Sequence, residues 1–205
     1  MSIITLNNRA LKDATAVGTT TGLGDLVFIS RSTASSSSSV SITSGIDSTY
    51  KEYIFVFNTI HPGTDDKHFQ FNFSIDGGSN YNVTKTSTAF ASEQQEDGTN
   101  GSLFYAGTFD LAQSTNYQSI APAIDDTNDA CTSGYLHLFE PSNTTFVKHF
   151  ISAAHISQSS TDNSLYSSTY RTSGYGNTTS AINAIDFKMS SGNIDSGTID
   201  LYGVN

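Results

Sequence analysis

The chain has 205 residues and a mass of 21.9 kDa, room for one sizeable domain burying roughly 70% of its unfolded surface and too little for two. Only 14% of the residues are charged, so Ser, Thr, Asn and Gly supply the solubility, while 13 Phe and 10 Tyr exclude a disordered chain. A formal net charge of -10, with nine Lys and Arg scattered singly, repels a phosphate backbone and excludes nucleic acid as a partner.

Residues 1–24 place Ile3, Ile4, Leu6 and Leu11 ahead of a run of Thr and Gly. They read as an extended attachment arm ordered against a partner, or as a frayed terminus, with a short helix over 8–16 as a local alternative. The opening MSIITLNNRALKDATAV has no continuous apolar run, and no stretch approaches the length of a membrane span. Synthesis in a cytoplasm, without membrane insertion, is expected.

Leu26, Phe28 and Ser30 alternate with Val27, Ile29 and Arg31 in a first strand. The serine run 35–39 reads as a solvated loop, and Val40 and Ile42 open the next strand. Residues 53–60, YIFVFNTI, are aromatic or β-branched on both parities, as in a central strand covered on both sides, and His61-Pro62-Gly63 stops them. In 68–75, Phe69, Phe71, Phe73 and Ile75 share one parity, and His68, Gln70, Asn72 and Ser74 the other, which predicts a half-buried antiparallel strand.

Asp76-Gly77-Gly78 supplies the positive φ of a tight turn, after which Tyr81 and Val83 resume a strand pattern, so a hairpin is expected. Ser74, Asp76, Gly78 and Tyr81 fit the Asp-box pattern of sialidases and β-propellers, a structural hairpin motif. Tyrosine stands where tryptophan is usual and no series of copies follows, so the match implies a stiffened turn and no glycosidase chemistry.

Residues 92–101 read as an exposed loop carrying Glu93, Glu96 and Asp97, and 103–109 as a strand. No periodicity marks 110–130, which ends in the acidic run 125–129, the kind of long loop that often holds a binding site. Strands 135–139 and 146–153 flank the turn Glu140-Pro141-Ser142-Asn143. Tyrosines follow in 165–175, then alternation at Ile185, Phe187 and Met189 and again at Ile199 and Leu201. Short strands between Gly/Asn/Ser/Asp turns, with no long 3.6-residue period, predict an all-β antiparallel β-sandwich, jelly-roll-like, over 25–205 behind the N-terminal arm 1–24.

Chemistry is sparse. The lone Cys131 excludes an intrachain disulfide and reads as a small buried hydrophobe. None of the five histidines has a zinc-site spacing, and no Gly-x-Ser-x-Gly is present. Asp125, Thr127 and Asp129 mimic the start of a calcium loop, but Ala130 replaces its glycine and Leu136 its last carboxylate, which excludes an EF-hand. Asp125 and Asp129, joined by Asp65 and Asp66, are left as candidate ligands of a loop-held calcium, against a solvated acidic loop. No catalytic residue and no required cofactor are assigned, and the chain is read as non-enzymatic. Tyr166, Tyr170 and Tyr175, set among Ser, Thr, Gly and Asn, have paratope-like composition and are the candidate recognition surface, against packing at a sandwich edge or subunit interface.

The segments MSIITLNNRALKD, SGIDSTYKEYIFVFNTIHP, FSIDGGSNYNVT, GYLHLFEPSNTTFVKHF and NTTSAINAIDFKMSSGNIDSGTIDLYGVN together resemble virion proteins of marine bacteriophages of cyanobacteria and their relatives. The resemblance runs along nearly the whole chain. It implies a structural or tail-fibre-like place in the particle and a homo-oligomer, commonly a trimer in phage fibres, and it supplies no catalytic residues. The expected function is therefore a virion structural protein of a tail fibre or appendage that grips other virion proteins through its arm. Capsid decoration as a head fibre, and a carbohydrate-binding module or depolymerase acting on host surface glycan, are the competing readings.

Overall fold

The computed structural model describes residues 16–17, 20–21, 26–159 and 165–205. Ile3, Ile4, Leu6 and Leu11, expected in the arm, lie outside them. Two short strands, β1 (Ala16–Val17) and β2 (Thr20–Thr21), pair antiparallel with each other. The body then runs β3 (Leu26–Ser37), β4 (Val40–Ile42), β5 (Glu52–Pro62), β6 (Lys67–Ser74), β7 (Lys85–Gln95), β8 (Gly101–Tyr105), a 3-10 turn (Gly107–Phe109) and β9 (Gln118–Ile124). It continues β10 (Cys131–Phe139), β11 (Lys148–Ser159), β12 (Leu165–Gly176), β13 (Ala184–Met189) and β14 (Ile194–Val204).

Two antiparallel sheets result, one ordered β3-β14-β5-β10-β11-β12-β7-β8 and the other β4-β13-β6-β9. If β7, β8, β11 and β12 are set aside, the remaining eight strands pair first with last: β3 with β14, β4 with β13, β5 with β10 and β6 with β9. That nested pairing, with alternate pairs in opposite sheets, is a jelly roll. The two insertions, β7–β8 after β6 and β11–β12 after β10, both join the larger sheet beyond β10 and double its width.

Period-two alternation places the core. Tyr53, Phe55 and Phe57 of β5 and Phe69, Phe71 and Phe73 of β6 are fully buried between the sheets, with Phe150 of β11 and Phe187 of β13. Most of their rings meet edge-on or tilted, Phe57 with Phe69 at 5.3 Å, Phe71 with Phe150 at 5.2 Å and Phe55 with Phe187 at 5.7 Å, geometries in which the positive ring edge meets a negative face, while Phe69 and Phe187 stack at 5.6 Å.

Several expectations change. The serine run is loop only at Ser38 and Ser39: β3 continues to Ser37 and pairs with β14 through Ser35 and Ser37, as an edge strand with one solvated face can. β5 is central but buried on one side, since Ile54 and Val56 of the other parity are only half-buried. Ile75, assigned to the apolar parity of β6, is exposed beyond the strand's end. Gly77 and Gly78 do take positive φ (72° and 89°), yet no hairpin forms, because β6 and β7 lie in opposite sheets. The turn is stiffened as the Asp-box match implied: Ser74 Oγ accepts from the Asp76 and Gly78 amides, and Asp76 accepts from the Asn80 amide at 2.9 Å and its side chain at 2.7 Å. The Ser74 hydroxyl, donating to Asp76 at 2.7 Å, and then the two Asn80 donors hold the Asp76 carboxyl down to about 2. Half of the expected loop 92–101 is strand, β7 reaching Gln95 and β8 starting at Gly101, and residues 96–100 form the turn between them. Inside the supposed loop 110–130 lies β9, hidden by Pro122 and by register shifts along an edge strand.

Candidate functional site

The outer side of the four-stranded sheet is polar and covered by the chain itself. Asn72 of β6 holds two covering segments at once, its Nδ2 donating to the Tyr81 carbonyl at 2.8 Å and to the Thr115 carbonyl at 2.9 Å. Its Oδ1 accepts from the Phe73 amide and from Lys85 Nζ at 2.5 Å. Lys85 opens β7 on the inward parity of Ala89 and Ala91; it is fully buried, and its other acceptor is the Val83 carbonyl at 2.9 Å. Burial lowers this amine to about 7, because a charge removed from water is destabilised more than the neutral base.

Beside this clamp, Asp186 of β13 is buried and accepts from Ser41 Oγ at 2.5 Å and Tyr117 OH at 2.9 Å. Burial, reinforced by the Asp186 charge, pushes the Tyr117 phenol up, so it stays a donor. Lys188 Nζ sits 4.1 Å from the centre of the Tyr117 ring, a cation–π contact. Between these residues and the 3-10 turn opens a cleft of about 400 Å³ lined by His68, Gln70, Phe109, Asn116, Tyr117 and Lys188, among others. Burial lowers the His68 imidazole, and its ring packs 5.4 Å from Phe109.

The outer side of the eight-stranded sheet is built differently. Its register lays outward side chains in rows across the strands. One row crosses all eight, in order Arg31, Asp200, Val56, Tyr135, Ala153, Arg171, Phe90 and Tyr105. The next holds Phe28, Tyr202, Ile54, His137, Ile151, Ser173 and Thr88. Leu26, Val204, Glu52 and Phe139 continue the pattern on one half, and His149, Tyr175 and Thr86 on the other.

Of the eight large hydrophobic side chains exposed among the described residues, six lie on this side: Leu26, Phe28, Phe90, Leu103, Tyr105 and Ile151. The charged groups in these rows are balanced. Arg31 grips Asp200 with two hydrogen bonds of 2.6 Å and holds its carboxyl below the ordinary range, while His137 contacts Glu52. A shallow apolar depression lies between Thr88, His149, Ile151, Ser173 and Tyr175.

No protein-family model, curated protein or solved structure matches the chain.

The candidate residues read from sequence do not gather into one site. Tyr170 lies on the inward parity of β12, is buried, and packs against Phe104 and Phe109 at 6.4 and 6.0 Å, so it belongs to the core. Tyr166 shares that parity and donates toward Gln95, whereas Tyr175 faces outward beside His149. Three tyrosines on two faces cannot form the proposed recognition surface. Asp125 is buried and Asp129 exposed, and among the described residues no three His, Cys, Asp or Glu side chains converge as ligands. Cys131 is half-buried, its amide bonded to Ser157 Oγ.

Lys85 and the uncovered face both escaped the sequence reading. The lysine could have been found by extending the parity of Ala89 and Ala91 back through Ser87. The face has a signal too, in the apolar second parity of β5, which in sequence alone looks the same as burial on both sides.

Proposed function

We propose that the chain is a structural protein of a bacteriophage particle, a subunit of a tail fibre or similar appendage assembled in the host cytoplasm from several copies, as trimers in the fibre reading. One observation carries this reading: a jelly roll already complete in eight strands devotes four more to widening one sheet, and the outer side of that sheet is apolar and uncovered by the described chain. Contiguous apolar patches of that extent mark association surfaces, and jelly rolls recur in particles built from repeated subunits. The resemblance to phage virion proteins along nearly the whole chain supports the same place, with residues 1–24 gripping a neighbouring virion protein.

Immunogold labelling of intact particles with antibody against this chain tests the reading. Label on tail appendages is the expected result; label over the head moves the protein to capsid decoration, and particles lacking the chain even after denaturation sink both.

The cleft beside Tyr117 favours a second reading, contact with host surface glycan, because rings and amide side chains of this kind meet the faces and hydroxyls of a sugar. Binding on a glycan array that Tyr117→Ala abolishes would support it, and silence across the array would count against it.

A further inference from the structure

We infer that the outer face of the eight-stranded sheet is where copies of this chain pack on one another. The inference rests on the reading of the chain as an assembly subunit and names the surface that subunit uses.

Three features select a second copy as the occupant. The first is extent: seven inter-strand spacings of about 4.8 Å make the face roughly 34 Å wide, and the three rows together with a fourth beside them, Ser133, His155, Thr169, Ser92 and Leu103, about 7 Å apart, make it roughly 25 Å tall. The face thus offers on the order of 800 Å², what one partner contributes to a standard interface.

The second is charge. The chain carries -10, so two copies repel across most of their surfaces. In the rows described above, however, the charged groups are Arg31, Arg171, Glu52 and Asp200, two of each sign, and both carboxylates already contact a basic side chain. Copies meeting through this face therefore bring little net charge together.

The third is layout. The most exposed apolar groups stand at the two ends, Leu26 and Phe28 on β3 and Phe90, Leu103 and Tyr105 on β7 and β8, with half-buried Ile54, Val56 and Tyr135 between them. Each copy therefore offers the core of an interface along its whole width. Aromatic rings such as Phe28 against Tyr202, 5.6 Å apart, are the anchors that association surfaces favour.

The test is sedimentation of the full chain across a concentration series, alongside Phe28→Lys at one end and Leu103→Lys at the other. Both positions are more than half exposed, so each variant is expected to melt like the parent. The parent should form a discrete oligomer at micromolar concentration, and a lysine at either end should weaken association roughly tenfold or more. A parent that stays monomeric, or oligomers untouched by both substitutions, would overturn the inference. Labelled tail appendages with a monomeric parent would refute this surface and leave the virion reading standing. A lysine-sensitive oligomer with unlabelled particles would do the reverse.

Discussion

The two outer faces of this sandwich solve the same problem in opposite ways. Behind the four-stranded sheet, polar groups point outward and the chain folds back over them, so that Asn72, Asp186 and Lys85 find their partners within the molecule. Behind the eight-stranded sheet the side chains are largely apolar and the described chain lays nothing over them. Buried polar groups must be satisfied locally or they cost stability, whereas an apolar face can wait for a partner. The polar face thus belongs to folding, and the apolar face is the one proposed for assembly.

That division predicts unequal responses to substitution. Asn72→Leu should have the largest effect, since it strands the carbonyls of Tyr81 and Thr115 and removes an acceptor from Lys85 at once. A loss of about 2–3 kcal/mol is expected in urea unfolding, from one buried and two part-buried hydrogen bonds at roughly 1 kcal/mol each. Leu103→Lys on the other face should change monomer stability by under about 0.5 kcal/mol. Similar losses for both would erase the distinction between the faces.

Lys85 adds a pH signature to the polar face. Its amine titrates at about 7 when folded and at about 10.4 when unfolded. Between those values the unfolded chain binds one more proton, so folding stability from this group rises with pH across the window and is flat below it. The slope is on the order of 1 kcal/mol per pH unit. Lys85→Met should remove it: melts of parent and variant, compared from pH 6 to about pH 10, should differ most in the variant's favour at the acid end. Parallel curves would mean the amine is hydrated. A smaller effect is expected at Asp186, where replacement by Ala leaves the Ser41 and Tyr117 hydroxyls without their acceptor and should cost about 1–3 kcal/mol. Tyr117→Phe in that background should then cost little more, because the pair acts as a unit.

Much of the sandwich could be read from residue order because parity is a local property. Phe69, Phe71 and Phe73 announced the inner side of β6, and Ser74, Asp76 and Gly78 announced a turn built from its own side chains. What lies across from a strand is not local. The hairpin expected after Gly78 failed because the chain crosses to the other sheet, and β9 was missed because Pro122 and shifted register disguise an edge strand. The same limit explains the site. Sequence showed that both parities of β5 are apolar, but an apolar residue under a second sheet and one awaiting a partner copy have the same side chain. Tyr170 was placed on the surface by its company of Ser, Thr and Gly, although Ser168 and Thr172, its parity neighbours, are themselves buried.

Arg31 and Asp200 sharpen the comparison from inside the apolar face. Asp200 is 2% exposed, so the face does bury a charge, and it does so under an arginine whose own side chain is 57% exposed. Two short parallel bonds hold the carboxyl below its ordinary range. A depressed carboxyl contributes stability that is present above the unfolded value near 3.9 and is lost as pH falls through the lower folded value. Arg31→Met should therefore destabilise the monomer at neutral pH, and the gap between variant and parent should narrow in acid, as the parent's carboxyl begins to take up its proton. Solvent reaches Arg31, so screening keeps this effect below those expected at Asn72, Lys85 and Asp186, and it is readable by thermal melts at pH 7 and about pH 3. If the gap stays constant across that range, the arginine acts through the packing of its stem over Asp200 instead of its charge, and the face would be apolar even where it carries charge.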